Sequence, residues 1–295
     1  MKRNATRILT LVLAIALIMS MSLPAFAMDG HEVYLSPATG TSYTTIVDAT
    51  TSTVSLEVYF SAYDATIADT SAQWYNTGFN SATDAEAVQW SVPEGQNPNG
   101  LISPTISVTS GTVNSLTTSK ATVTLNPGVS GVAIVHAEYS PSMTLDLVIA
   151  RDAASEQDSV TTQVYVVDVT ASTDKRLVDN EEVEVAAPVS GDASLMGGKA
   201  GAFQNRPTAM GTLDALLEGF FIDSATLSTD GSYVSDIEEI EYWSYAVYNT
   251  STGALVDITQ SISASIYALS SGQTVVWKHG AWSFASNLST EIASW

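Results

Sequence analysis

The sequence predicts a mainly β protein, in which a β-sandwich is followed by an α+β region with one helix packed on an antiparallel sheet. Two observations lead to this fold class. From about His31 to Thr170, apolar and polar residues alternate in short runs separated by Gly, Pro, Asn and Ser clusters, a pattern typical of half-buried strands. After Pro207, one segment has apolar residues at helical spacing and is followed by further strand-like runs.

The first region contains five predicted strands. Runs of period two indicate strands at residues 54–60, 88–92 and 121–125, and a run with two apolar faces indicates a central strand at 132–139. A last strand is predicted from Gln163 to Thr170. Short strands at nearly regular spacing favour an antiparallel sandwich, which we place at residues 28–171.

Turn residues and one tryptophan support this interpretation. Pro93-Glu94-Gly95 and Asn126-Pro127-Gly128 each follow a predicted strand and are typical turn sequences. Trp90 stands in register with Val88 and Val92, so we expect its ring to pack in the core rather than to bind a ligand.

The second region begins after a polar stretch at residues 172–180, which we interpret as a linker. Thr208 is placed to cap a helix that Gly219 would end. The apolar residues at helical spacing between them are Leu213, Leu216, Leu217 and Phe220. Strands are predicted at residues 181–188, 232–237, 241–248 and 273–279, with a turn at 250–253.

The first residues have the pattern of an export signal. Lys2, Arg3 and Arg7 flank an apolar run, which ends in the small-residue site Ala25-Phe26-Ala27. We predict a signal peptide at residues 1–27 and a secreted, surface-associated product, because the apolar run is shorter than the roughly 20 residues of a membrane-spanning helix.

The charge of the chain disfavours several partners. Its formal net charge is −21, and removal of the three basic residues of the leader takes it to −24. Nucleic acids and anionic lipids are poor partners for such a protein, since their binding depends on Lys and Arg. The chain has no Cys, so no disulfide stabilises the exported protein.

The middle of the first region resembles bacterial immunoglobulin-like domains. The similarity rests on Gln89-Trp90-Ser91-Val92, on Ser119 to Leu125 and on Gly128 to Val135. This resemblance implies a spacer or adhesive module with Trp90 in its core.

The second region carries four motifs in a characteristic order. They are Thr212-Leu213-Asp214-Ala215-Leu216-Leu217, Gly231 to Ile237, Tyr242 to Asn249, and Tyr267 to Trp277. Residues 181–280 thereby resemble the domain of unknown function at the C-terminus of the cobalamin carriers transcobalamin and intrinsic factor, which also occurs in bacterial surface proteins. The resemblance implies the α+β fold and an attachment or display role. It does not carry over the corrinoid ligand, because the helical barrel of the carriers is missing and Asn249-Thr250-Ser251-Thr252-Gly253 replaces the family's short turn.

Aromatic density marks the candidate binding residues, which are Tyr242, Trp243, Tyr245 and Tyr248. Alternation places Trp243 and Tyr245 on one face of a strand, and Tyr242 and Tyr248 on the other. One interpretation is packing on both faces. The alternative is a platform on which a sugar ring, a corrinoid or a partner side chain stacks, with Tyr242 and Tyr248 as its principal members.

The ionisable residues do not form a recognisable catalytic or metal-binding pattern. His31, His136 and His279 are scattered, and the acidic clusters at residues 179–184 and 236–241 lack a calcium-binding loop. We therefore predict neither an enzyme nor a cofactor or metal ion, although a pair of glycosidase carboxylates needs no motif.

Three functions fit these observations. The first is a non-enzymatic surface protein whose sandwich presents the C-terminal region to a surface protein or a glycan. The second is an extracellular carrier of a corrinoid-like small molecule, and the third is a subunit of a surface assembly. Residues 281–295 form an apolar tail with Trp282, Phe284 and Trp295, which we expect to dock on a domain or on a neighbour.

Overall fold

The computed structural model describes residues 31–64, 74–171, 175–188, 194–256, 259 and 262–295. The predicted signal peptide lies outside the described residues. The described fold is mainly β with a small helical part, as predicted. The strands are β1 (His31–Pro37), β2 (Thr44–Val47), β3 (Thr53–Asp64), β4 (Trp74–Thr77), β5 (Gln89–Ser91), β6 (Ile102–Val113), β7 (Leu116–Leu125), β8 (Gly131–Ser140), β9 (Met143–Arg151), β10 (Val160–Asp168), β11 (Arg176–Val185), β12 (Ala225–Leu227), β13 (Val234–Ile237), β14 (Ile240–Glu241), β15 (Trp243–Asn249) and β16 (Gln273–His279). The helices are α1 (Ala82–Ala85), α2 (Gly211–Glu218) and α3 (Leu288–Ala293).

Two sheets face each other in the first region. Sheet I has the order β1-β3-β7-β6, with β4 also paired to β3, and sheet II has the order β2-β9-β8-β5. Their facing side chains form one core, in which Leu56 and Phe60 of sheet I are buried together with Val135 and Leu147 of sheet II. The alternation predicted for residues 54–60 therefore places the apolar set inward, as expected.

Strand β8 is buried on both faces, as its two apolar faces predict. Ala133 and Val135 point into the sandwich core, whereas Val132 and Ile134 belong to a second core that the C-terminal region supplies. Sheet II thus separates two hydrophobic cores, and the two regions pack directly on each other.

Sheet III has the order β11-β10-β16-β15 and corrects two predictions. The strand predicted from Gln163 belongs to this sheet rather than to the first sandwich, because β10 pairs with β11 and runs parallel to β16. Residues 176–180 of the predicted linker are part of β11. Their polar composition reflects the exposure of an edge strand, and period two identifies a strand without identifying its partners.

Helix α2 packs against sheet III with Leu213 and Leu216 buried. The N-cap residue of the helix is Met210, which makes no side-chain hydrogen bond, rather than the predicted Thr208. The Thr208 hydroxyl still accepts a hydrogen bond from the N–H of Gly211, the first residue of the helix, at 3.2 Å. The helix ends at Glu218. The residue with left-handed backbone is Phe220, at φ 58°, rather than Gly219.

Both turns predicted in the first region form, and each has its glycine at positive φ. Gly95 (φ 78°) lies in a turn in which the Gln96 N–H donates a hydrogen bond to the Pro93 carbonyl. Gly128 (φ 70°) lies in the turn in which the Val129 N–H donates to the Asn126 carbonyl. Glycine adopts this backbone without the steric cost that a Cβ atom brings.

The β13–β14 hairpin has a strained turn that yields a stability prediction. Ile237 pairs with Ile240, so Glu238 and Glu239 form a two-residue turn at φ 53° and 64°. Such turns favour Asn-Gly, and a left-handed residue with a Cβ atom costs about 1 kcal/mol. We expect Glu239→Gly to raise the free energy of unfolding by about 0.5 to 1 kcal/mol, as measured by urea denaturation.

Glu238→Gly is the matched control for that prediction. The Glu238 carboxylate accepts hydrogen bonds from the backbone N–H groups of Asp223 and Ser224, the latter at 3.1 Å. Glycine at position 238 relieves the same backbone strain but removes these two hydrogen bonds. We therefore expect Glu238→Gly to leave the free energy of unfolding unchanged or lower. Equal stabilisation by both variants would contradict the proposed role of the carboxylate.

Candidate functional site

The structure distributes the four aromatic residues among three different environments. Tyr248 is fully buried in a small core on the outer face of sheet III, and its hydroxyl donates to the Ala285 carbonyl at 2.9 Å. Burial, together with the charge of Glu291, raises the pKa of this hydroxyl well above its usual value. The interpretation of Tyr248 as part of an exposed platform is therefore corrected, because the C-terminal tail covers its face of the sheet.

Trp243 and Tyr245 face the opposite core. The indole N–H of Trp243 donates to the Ile240 carbonyl at 2.6 Å, and the side chain is only 7% exposed. The hydroxyl of Tyr245 donates to the Ile262 carbonyl at 2.9 Å, and burial raises its pKa. With their polar atoms satisfied by backbone carbonyls, both side chains serve packing.

Tyr242 is the one candidate of the four with an open ring. It is 69% exposed and precedes β15 in left-handed conformation, at φ 67°. The structure therefore does not bring the four residues together as one surface. Ligand binding at Tyr242 stays a prediction.

The C-terminal tail is fixed by a buried ion pair. Lys278 on β16 and Glu291 on α3 are 4% and 2% exposed, and the Lys278 Nζ lies 2.6 Å from a Glu291 oxygen. Glu291 also accepts hydrogen bonds from the Ala285 N–H and from the Trp295 indole N–H. The apolar tail residues on the same face of sheet III are Phe284, Leu288, Ile292 and Trp295.

The C-terminal tail therefore docks on its own domain, on the outer face of sheet III. The tail covers its own sheet, while Trp282, also counted among its apolar residues, is 73% exposed. Burial of Glu291 opposes its ionisation, but the hydrogen bonds from Lys278, Ala285 and Trp295 outweigh it and lower the pKa of the carboxyl. Glu291 is thus ionised at neutral pH, and its contact with Lys278 acts as a structural lock.

Two of the histidines pair with carboxylates. The His279 Nδ1 lies 2.8 Å from Asp168, and hydrogen bonds from Thr170 and His279 lower the pKa of Asp168 against the effect of its burial. His136 lies 2.7 Å from Asp146 on the neighbouring strand β9. The side chain of His136 is partly exposed, so this pair lies at the surface.

A groove lies at the open side of the sandwich, where β5 ends sheet II and β6 ends sheet I. It has a volume of about 770 Å³. Between Ile102 and Ile106 the register of β6 against β7 shifts, and the residues of this segment line the groove. The lining residues are Trp90, Ser91, Val92, Pro93, Gly95, Asn97, Ile102, Ser103, Pro104, Thr105 and Ile106.

The lining of this groove is uncharged. Trp90 bridges the two sheets, because its indole N–H donates to the Ser119 hydroxyl of sheet I at 3.0 Å while its ring packs on the core. The ring thus packs against the core as expected, but it is only partly buried. Trp90, Ser91, Ser103 and Thr105 all contribute to the lining of the groove. The groove could not be predicted from the sequence, because it depends on how the edges of two sheets meet.

A second cleft, of about 560 Å³, lies beside α2 and is lined by Glu184, Asp214 and Glu218 among apolar residues. Burial raises the pKa of Asp214 despite hydrogen bonds from the Leu195 N–H (2.7 Å) and the Ser194 hydroxyl (3.0 Å). Both Asp214 oxygens thus hold the segment that leads into the helix. A carboxylate in a cleft with a shifted pKa is a candidate for catalysis. Asp214, however, has a structural role, because both of its oxygens accept hydrogen bonds from the Ser194–Leu195 segment.

The acidic clusters take part in local contacts. Asp179 pairs with Arg176, Glu184 accepts a hydrogen bond from Ser159, and Asp236 accepts one from Thr226. In the part of the chain that the structure describes, no group of three or more His, Asp or Glu residues is placed to hold a metal ion. Within the same residues, no helix has the length and apolar character to cross a bilayer.

Comparisons with known proteins give little further information. No family model matches the chain, and no curated protein is significantly similar to it. A solved structure of domains 6–7 of the surface layer protein SbsC has a weak likeness, with 14% sequence identity and a TM-score of 0.24, over 85% of this chain and 99% of that chain. So weak a likeness carries no argument. The immunoglobulin-like and transcobalamin-like resemblances therefore stay predictions.

Proposed function

We propose that this chain is an exported, non-catalytic surface protein, and that its sandwich groove binds a neutral ligand of the oligosaccharide class. The observation that carries the proposal is the uncharged lining of the groove in a chain with 31 Asp and Glu residues. A partly open indole ring offers a face for a sugar, and neighbouring hydroxyls offer hydrogen bonds. An anionic ligand would be repelled by the rest of the protein.

The roles of the ionisable groups support a binding function over catalysis. The groups with the clearest partners, Lys278 with Glu291 and Asp168 with His279, connect elements of the fold instead of facing a common space. The C-terminal resemblance adds a display role, in which the sandwich presents residues 181–280 to a surface protein or a glycan. Cell fractionation tests the surface location, and a protein retained in the cytoplasm would contradict it.

The groove is tested by blocking it with one side chain. Thr105 is exposed in the groove, so we expect Thr105→Arg to weaken binding of a neutral oligosaccharide at least tenfold, or about 1.4 kcal/mol. Thr124→Arg adds the same side chain at an exposed position of β7 outside the groove and should leave affinity unchanged. Calorimetric titration with gluco-, manno- and chito-oligosaccharides provides the measurement. Binding that both variants retain equally would contradict this site.

A corrinoid carrier is the second candidate, because the domain that residues 181–280 resemble occurs in cobalamin carriers, although the motifs themselves do not carry over the ligand. Equilibrium binding of cobalamin to the full-length mature protein separates it from the first proposal. Tight cobalamin binding that Thr105→Arg does not affect would place the ligand elsewhere than the groove and favour the carrier role.

A further inference from the structure

Strand β6 is an edge strand without the features that usually protect such edges. Within the described residues it pairs with β7 and with no other strand, so one side of its backbone is open. It is 12 residues long, and no Asp, Glu, Lys or Arg occurs between Glu94 and Lys120. Long uncharged edges are templates for pairing with another chain.

The hairpin that ends β6 indicates which backbone groups are open. Val113 pairs with Leu116 across a two-residue turn, in which Asn114 and Ser115 have φ of 49° and 67°. In such hairpins the residues flanking the turn exchange both hydrogen bonds, and the bonding then alternates along the strand. The N–H and C=O groups of Val108, Ser110 and Thr112 therefore point away from β7.

Another edge of the same protein shows the opposite design. Strand β11 ends sheet III and carries Asp179, Glu181, Glu182 and Glu184, a row of carboxylates that repels an approaching strand of an acidic protein. On β6 the comparable features are Pro104, which lies in the segment where the register to β7 shifts, and the Glu86 carboxylate beside Ser110. Residues 106–113 remain regular and open.

The net charge restricts where two copies of the chain can meet. Two copies of a chain with a formal net charge of −21, or −24 without the leader, repel each other over most of their surfaces. Strand β6 has no carboxylate of its own, so two copies can approach along it with the Glu86 carboxylates as the acidic groups beside the contact. We propose that β6 pairs antiparallel with β6 of a second copy, so that two copies of sheet I continue as one sheet about a two-fold axis. This inference goes beyond the proposed binding function.

The contact should strengthen as salt is added. Repulsion between the acidic bodies is screened by salt, whereas backbone hydrogen bonds between uncharged strands depend little on it. The Glu86 carboxylate, 3.4 Å from the Ser110 hydroxyl, places a negative charge beside the edge itself. A contact driven by opposite charges would instead weaken with salt.

The test is sedimentation velocity on the mature full-length protein up to about 1 mM, at low and high NaCl. We expect a monomer–dimer equilibrium that shifts toward dimer as salt increases. Ser107 is exposed on β6, so Ser107→Lys places a charge on the contacting strand and should reduce association at least tenfold. Thr124→Lys adds the same charge to the exposed face of the central strand β7 and should associate like the wild type.

Hydrogen exchange distinguishes strand pairing from other contacts. The amides of Val108, Ser110 and Thr112 should gain protection as the protein concentration rises. A monomer at every concentration and salt level would overturn the proposal. So would association that both lysine variants reduce equally, or a dimer in which these three amides stay unprotected. None of these results bears on ligand binding in the groove, which calorimetry measures separately.

Discussion

Glu291→Ala should lower the free energy of unfolding by about 3 to 5 kcal/mol, because it leaves the Lys278 ammonium buried without its counter-charge. Both side chains are almost completely inaccessible, and their contact is a short hydrogen bond of 2.6 Å. The variant also removes the acceptor of the Trp295 indole N–H. Chemical denaturation followed by tryptophan fluorescence measures the effect.

The double variant Lys278→Met with Glu291→Leu is the control. Replacing both members of a buried ion pair with apolar residues of similar size is often neutral, so this protein should regain most of the lost stability. If Glu291→Ala and the double variant lose the same amount, the packing of the tail, rather than the uncompensated charge, determines the cost. If neither loses stability, the tail does not dock as described.

The same lock predicts an acid transition. The pKa of Glu291 is lower in the folded protein than its ordinary value of 4.5. The stability contributed by such a group is complete above the unfolded pKa and is lost as pH falls through the folded pKa. We therefore expect tail release at a pH below about 4.5, seen as increased proteolysis after residue 280, and Glu291→Gln should abolish that pH dependence.

The sequence predicted best the strands that lie beside a core. Strands β3 and β7 alternate, β8 has two apolar faces, and the turn between β7 and β8 contains Gly128 at positive φ. Strand β6 was missed, since an edge strand rich in Ser and Thr has little alternation. Strand β9 was missed as well. Strand β10 was found, but its partner β16 lies more than 100 residues away and period two cannot identify it.

The candidate site was harder to predict, because what covers a face lies elsewhere in the chain. Alternation correctly divided Trp243 and Tyr248 between two faces, but the tail that buries Tyr248 begins more than 30 residues later. One signal was present and overlooked. Lys278 directly follows the apolar run Val275-Val276-Trp277, and a lysine in a buried strand requires an acidic partner.

Arg151 should be the second large determinant of stability. Its side chain is 2% exposed and donates hydrogen bonds to the carbonyls of Val129, Thr51 and Asn126, at 2.6 Å to Val129 and 2.9 Å to Thr51. These carbonyls belong to the segment before β3 and to the turn between β7 and β8. One guanidinium therefore connects both sheets of the sandwich at the same end.

Arg151→Met should lower the free energy of unfolding by about 3 kcal/mol, because it removes the hydrogen bonds that a charged donor makes to three carbonyls. Arg151→Lys keeps the charge, yet a single ammonium cannot reproduce the planar arrangement of guanidinium N–H donors. We therefore expect it to lose more than half of the unfolding free energy that Arg151→Met loses. Arg176→Lys, at a partly exposed arginine paired with Asp179, is the control and should change stability by less than about 1 kcal/mol. Full stability of Arg151→Lys would mean that charge rather than guanidinium geometry holds the loops, because only the geometry differs between the two residues.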